Sequence, residues 1–178
     1  LRGTPFVGVL YAGLMLTTDG PKLLEFNARF GDPEAQVVLP LLASDVVEVA
    51  LACVAGTLGS TPVELHHGAA VGVVIAAAQY PAPSAALFDD DGASIDWSGG
   101  PTTALYRGTS GGREITAVGL GDTLGDAREE AYSLVGRVAP PGARFCRDIA
   151  WRAPGAQLRS YAAAGVDIDE GTRAVDRL

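Results

Sequence analysis

Hydrophobic and polar positions alternate along Leu23 to Arg29. In an extended strand Leu24, Phe26 and Ala28 fall on one face, and Glu25, Asn27 and Arg29 on the other. The preceding run, Phe6 to Leu16, is also rich in strand formers, with Gly8 and Gly13 inside it. Thr17-Thr18-Asp19-Gly20-Pro21 supplies turn chemistry between the two, so a hairpin is expected, with Lys22 to Ala28 as its return strand. The period then changes. Gly31 permits a tight turn, Asp32 is a good N-cap, Pro33 suits a first helical position, and Glu34 begins a helix through about Leu42. Ser44 to Leu58 predicts a second helix capped by Ser44, with Val46, Val47, Val49, Ala50, Cys53, Val54 and Leu58 on its apolar face. Gly56 and Gly59 mark its end. Two helices packed on a hairpin make an α+β unit.

Gly59-Ser60-Thr61-Pro62 is a linker, and a second small domain starts near Val63. Ala69 to Gln79 is apolar at nearly every position, the pattern of a strand buried on both sides or set centrally in a sheet. Tyr80 to Ser84 is a loop. Ala104 to Gly108 and Arg113 to Gly119 predict two strands joined by a Gly111-Gly112 turn. Thr123 caps a helix from Leu124 to Val138, with Ala127, Ala131, Leu134, Val135 and Val138 as its buried stripe, and a final strand is expected near Phe145. The expected divisions are residues 1–62, 63–153 and 154–178.

Composition narrows the class. A chain of 178 residues can bury a real core, and 48% hydrophobic against 19% charged residues is ordinary for a globular protein. No segment approaches eighteen uninterrupted apolar residues, so a membrane span is not expected. The formal net charge of −8, with scattered Lys and Arg, argues against a nucleic-acid surface. Cys53 and Cys146 have apolar neighbours and no CxxC spacing, which predicts buried free thiols and a reducing, cytoplasmic setting. His66 and His67 would face opposite ways in a strand, against joint metal binding, and Asp89-Asp90-Asp91-Gly92 reads as a solvated turn.

The polar row of the hairpin is where chemistry enters. Its residues stand roughly 6.6 Å apart by strand geometry, about the reach of a metal-bound polyphosphate. Glu25 and Asn27 offer hard oxygen ligands suited to Mg²⁺, and Arg29 offers a planar fork for phosphoryl oxygens. A helix N-terminus after Asp32 would add an anion site beside the row. The same pattern is also that of an ordinary half-buried strand with a solvated polar face.

Leu24-Glu25-Phe26-Asn27-Ala28-Arg29-Phe30-Gly31-Asp32-Pro33-Glu34-Ala35-Gln36, preceded by Gly8-Val9-Leu10-Tyr11-Ala12-Gly13-Leu14-Met15, closely resembles the ATP-grasp core of phosphoribosylamine–glycine ligase, also called glycinamide ribonucleotide synthetase. The resemblance implies the C-terminal half of an ATP-grasp domain, a β-hairpin plus helices, followed by a small α+β C-terminal domain. It implies Glu25 and Asn27 as ligands of Mg²⁺ (or Mn²⁺), Arg29 as a catalytic residue on the transferring phosphoryl group, and Gly31, Asp32 and Glu34 at the substrate. ATP, glycine and 5-phosphoribosylamine are the implied partners, and glycinamide ribonucleotide, ADP and phosphate the products.

Gly111-Gly112-Arg113, Gly121-Asp122-Thr123-Leu124 and Arg147-Asp148-Ile149 resemble the small C-terminal domain of the same family. One departure is that Tyr106-Arg107-Gly108-Thr109 runs almost directly into the double glycine, where the family has a longer hairpin. Ser160 to Gly171 resembles the opening of phosphoribosylformylglycinamidine cyclo-ligase, which is fused behind the glycine ligase in some multifunctional purine proteins. Only five residues precede the first expected strand, so the parts that in the family bind adenine and cover the phosphates are expected on an N-terminal part outside this sequence. The alternative is a non-catalytic assembly or linker module derived from the ligase. The intact Glu25, Asn27 and Arg29 row speaks against it.

Overall fold

A computed structural model describes residues 6–81, 102–110 and 113–151. Two strands open it, β1 (Tyr11–Thr17) and β2 (Gly20–Asn27), paired antiparallel with the register slipping between Gly13 and Leu14. The expected hairpin is present, but its first strand begins at Tyr11 rather than Phe6. Both faces are open: Leu24 and Phe26 are 64% and 57% exposed on the side opposite Glu25.

The helix expected from Glu34 to Leu42 is shorter. α1 spans Glu34–Val38 and gives way to a 3-10 turn over Leu39–Leu41. Pro40 accounts for the change, since in an α-helix its ring would clash with the carbonyl four residues back and it lacks the N–H that the ladder needs. Asp32 is not the N-cap either. Pro33 holds that position with no side-chain cap, and a five-residue helix does not provide the anion site expected at its start. α2 (Val46–Ala55) is capped by Asp45, whose carboxylate accepts from the amides of Val47 and Glu48. Ser44, expected in that role, is used across the chain: its hydroxyl accepts from the Glu64 amide at 2.8 Å. Gly56 ends α2 at φ 72°, so the helix stops at Ala55 and Leu58, expected as its last residue, falls in a separate 3-10 turn. The apolar face of α2 is uncovered, with Val54 78% exposed and only Ala52 buried.

The second sheet holds β3 (Ala69–Ala76), β4 (Thr103–Ser110) and β5 (Arg113–Gly121) in the order β3-β5-β4, all antiparallel. α3 (Leu124–Val138) lies across it. Thr123 and Asp126 form a reciprocal capping box, the Thr123 hydroxyl accepting from the Asp126 amide while the Asp126 carboxylate accepts from the Thr123 amide. Val71, Val73, Ile75, Ile115 and Ala117 from the strands pack against Ala127, Ala131, Leu134 and Val135 from the helix. This close packing requires glycine at 119, because a Cβ there would collide with the backbone of Ala127 and Ala131.

The strand expected near Phe145 is a single bridge, Arg144 pairing with Ala76. The segment after it is held by side chains of α3: Arg128 donates to the carbonyls of Arg147 and Ile149, and Tyr132 donates to the carbonyl of Cys146 at 2.8 Å. Cys146 is therefore held through its backbone while its side chain stays exposed, and Cys53 is half-buried. Both are free, but neither is the buried thiol expected from its neighbours. The Ala82–Ser84 part of the expected loop, the Asp89–Gly92 turn, the Gly111-Gly112 turn and the cyclo-ligase-like stretch lie outside the described residues.

Leu134→Ala should cost about 2–5 kcal/mol, because it opens a cavity where α3 meets the sheet. Val54→Ala, on the exposed face of α2, should stay within about 0.5 kcal/mol. Urea unfolding of both variants checks the contrast.

Candidate functional site

β2 carries Glu25 and Asn27 two residues apart on one face, and their side chains meet: Asn27 Nδ2 donates to Glu25 Oε1 at 3.0 Å. The bond turns the amide nitrogen inward along the strand and leaves the Asn27 amide oxygen as an acceptor beside the carboxylate. Across the hairpin, Tyr11 pairs with Asn27 and Gly13 with Glu25, which puts the Tyr11 side chain on the same face.

Nothing in the β-rich run of Phe6 to Leu16 singles out Tyr11, yet it belongs to this face. Its hydroxyl donates to Glu34 Oε1 at 3.3 Å, joining the hairpin to the first residue of α1. The Glu34 carboxylate beside it is the main cause that raises the Tyr11 pKa above the usual tyrosine value. Partial burial and the hydrogen bond itself add to this, as does the charge of Glu25. Glu34 in turn lies over Gly31, where a Cβ would stand 2.8 Å from the Glu34 carboxyl carbon. Gly31, Glu34, Tyr11, Asn27 and Glu25 thus form one continuous arrangement. The pairing of Tyr11 with position 27 could have revealed it, had the hairpin register been fixed in advance.

Two expected members stand apart. β2 ends at Asn27, so Arg29 lies beyond the ladder in a bend and does not continue the row. Its Nη1 donates to the carbonyl of Phe30 at 2.8 Å, and among the described residues it has no hydrogen bond to Glu25 or Asn27. Asp32 faces the second sheet: its carboxylate accepts from Gln36 Nε2 at 2.8 Å and lies 3.5 Å from Arg113 Nη2.

The donor set suits a hard cation. Among the described residues no group of three His, Cys, Asp or Glu converges as a ligand cluster. Magnesium that keeps several waters and phosphate oxygens needs only one or two protein oxygens, which a neighbouring carboxylate and amide can supply. At this edge Glu25 is exposed and Asn27 half-buried. Among the described residues no helix is long and apolar enough to cross a membrane.

Known proteins share this arrangement of sequence. Residues 1–35 match the family model for the phosphoribosylglycinamide synthetase ATP-grasp (A) domain. The phosphoribosylamine–glycine ligase of Caulobacter vibrioides is 43% identical over 163 residues, covering 85% of this chain and 38% of that protein. The trifunctional purine biosynthetic protein adenosine-3 of Drosophila melanogaster is 40% identical over 195 residues, covering 97% of this chain and 14% of that protein. The crystal structure of the Thermotoga maritima phosphoribosylamine–glycine ligase superposes with a TM-score of 0.55 at 35% identity, over 79% of this chain and 36% of that one. The chain spans well under half the length of each of these relatives.

The Tyr11–Glu34 contact gives a titration test. Glu34→Gln removes the charge that chiefly holds the phenol protonated, so the Tyr11 pKa should fall back toward about 10. A group whose pKa is raised on folding contributes stability below its unfolded value and loses it as pH rises through the folded one, so any contribution from Tyr11 disappears only in alkali. Ultraviolet titration of phenolate absorbance, with Tyr11→Phe to assign the transition, measures it.

The hairpin motif, the sequence identities and the matching fold together show this chain to be similar to part of the phosphoribosylamine–glycine ligases and to the corresponding part of the trifunctional purine biosynthetic proteins.

Proposed function

We propose that this chain supplies the metal- and phosphate-facing edge of an ATP- and Mg²⁺-dependent carbon–nitrogen ligase that joins glycine to 5-phosphoribosylamine, giving glycinamide ribonucleotide, ADP and phosphate. The observation that carries the reading is the Glu25–Asn27 pair, bonded side by side, with Tyr11 and Glu34 continuing the polar face toward Gly31. Bound magnesium, or manganese, would neutralise phosphate charge as the glycine carboxylate is phosphorylated. Glu25 and Asn27 are the residues that would hold it.

Chemistry of this kind depends on positioning and charge neutralisation more than on covalent work by the protein. Arg29 spends one N–H on the Phe30 carbonyl, and the rest of its planar fork serves the transferring phosphoryl oxygens. Gly31 brings backbone close to substrate, the Glu34 carboxylate stands beside it to hold a substrate amino group, and Asp32, turned toward the second sheet, supports the same turn. The adenine-holding wall and the phosphate-covering loop belong to an N-terminal part of the enzyme outside this sequence. A fused cyclo-ligase behind residue 153 is supported by the greater extent of the Drosophila match, 97% of the chain against 85% for the Caulobacter ligase. A cytoplasmic location accords with the free thiols.

In the complete ligase, Glu25→Gln keeps shape and removes the metal-binding charge. Turnover should fall by about a hundredfold or more with little loss of stability, and near-normal activity in a folded variant would refute the metal assignment. Asn27→Ala should act in the same direction, less strongly. Arg29→Lys keeps charge and loses the fork, so it should also slow turnover; an unaltered rate would mean that Arg29 serves only the Phe30 carbonyl.

The 178-residue chain alone should bind Mg-ATP no more tightly than about 1 mM, near −4 kcal/mol, by calorimetry. Adding the N-terminal part as a separate polypeptide should restore binding and glycine-dependent ADP formation. Nucleotide binding without ADP formation in the presence of glycine and phosphoribosylamine would favour a non-catalytic module.

A further inference from the structure

α1 is a single helical turn of five residues, and a helix of that length has no independent stability in water. Its first residue is Glu34, and the turn before it holds Gly31 and Asp32. The position of these groups is set by whatever holds the turn from outside. From the hairpin, Tyr11 donates to Glu34. From β3, Gly72 receives the Val37 side chain so closely that a Cβ at 72 would stand 2.8 Å from Val37 Cγ1. From β5, Arg113 Nη2 donates to the backbone carbonyl of Asp32 at 3.0 Å and lies 3.5 Å from the Asp32 carboxylate, across 81 positions of sequence.

Arg113 stands where the sheet changes register on both sides. The β3–β5 ladder slips between Ile75 and Ala76, leaving Ala76 opposite Arg113, and the β4–β5 ladder slips between Arg107 and Ser110, leaving Ser110 opposite Arg113. Irregularities of this kind re-aim a side chain at the end of a ladder. Among the described residues, Arg113 is the sole side chain bonded to the backbone between Gly31 and Glu34. The pair is too open to add much stability, with side chains 29% and 61% exposed. Its effect is on where the turn sits.

We infer that Arg113 is a positioning residue: it clamps the Gly31–Glu34 turn to the three-stranded sheet and thereby fixes the Asp32 and Glu34 carboxylates relative to the Glu25–Asn27 edge. This deepens the functional reading above and rests on it.

The test has two arms. In the 178-residue chain, Arg113→Ala should speed hydrogen exchange of the Ala35 and Gln36 amides, which bond to Gly31 and Pro33, while the melting temperature moves by no more than about 2 °C. In the complete ligase the same change should raise KM for glycine or phosphoribosylamine about tenfold, about 1.4 kcal/mol, with kcat within threefold. Arg113→Lys should recover most of the loss, since an ammonium still donates to the Asp32 carbonyl. Unchanged exchange, an unchanged KM, a large fall in melting temperature, or a Lys variant as impaired as the Ala variant would each overturn the assignment. Should wild-type ligase show no glycine-dependent ADP formation, the functional reading fails and the inference resting on it is overturned too. The exchange arm separately reports whether the clamp itself exists.

Discussion

The contact on which the rest of the described structure depends is the close approach of α3 to β5 at Gly119. The largest fully buried side chains, Ile75, Ile115, Leu134, Val73, Val118 and Val135, all belong to β3, β5 or α3. Glycine at 119 lets the helix backbone lie directly over the central strand, and small residues at 127 and 131 keep that face flat. Burial of this kind is the main favourable term in folding, so the sheet with its helix is the rigid body and the other elements are held to it. The segment after α3 is held by Arg128 and Tyr132, and the segment carrying α1 by Val37 and Arg113.

This division explains what could be read from the sequence. β3 and α3 were legible because burial imposes a pattern: an apolar run for a strand, though only its Val71, Val73 and Ile75 face is fully buried and it lies at the edge of the sheet rather than covered on both sides, and a stripe opening on a capping box for the helix. The hairpin was legible for a different reason, its turn residues and its strict alternation. Boundaries failed where a local competitor decided them. Pro40 cut α1 short, and Asp45 took the cap from Ser44 because the Ser44 hydroxyl found the Glu64 amide instead. Arg29 kept its place in the alternation but lost its strand, since alternation says nothing about where hydrogen bonding to β1 stops.

The candidate site was legible as a list of residues and not as a geometry. Glu25 and Asn27 are two positions apart, and strand geometry alone brings them together. Tyr11 reaches Glu34 over 23 positions and Arg113 reaches Asp32 over 81, distances at which no local pattern survives. The apolar face of α2 illustrates the same limit. Its spacing marks which side of the helix is oily, but not what covers it, and among the described residues Val46, Val47, Leu51 and Val54 remain exposed.

The polar face is therefore built from two weakly held elements, the hairpin and the turn that opens α1. Neither the two-stranded hairpin nor the single turn of α1 has a core of its own, and a lone hairpin is marginal in water. Yet binding and transfer of phosphoryl groups tolerate little misplacement of the groups that neutralise charge, because the gain depends on geometry fixed before the reaction. A few directional contacts meet both conditions. Tyr11 sets Glu34 from the hairpin side and Arg113 sets Asp32 from the sheet side, so the turn between them is fixed by hydrogen bonds rather than by burial. Hydrogen bonds at an exposed surface contribute little net stability. They do constrain distance and angle, which is what a site made of separate carboxylates, an amide and a guanidinium requires.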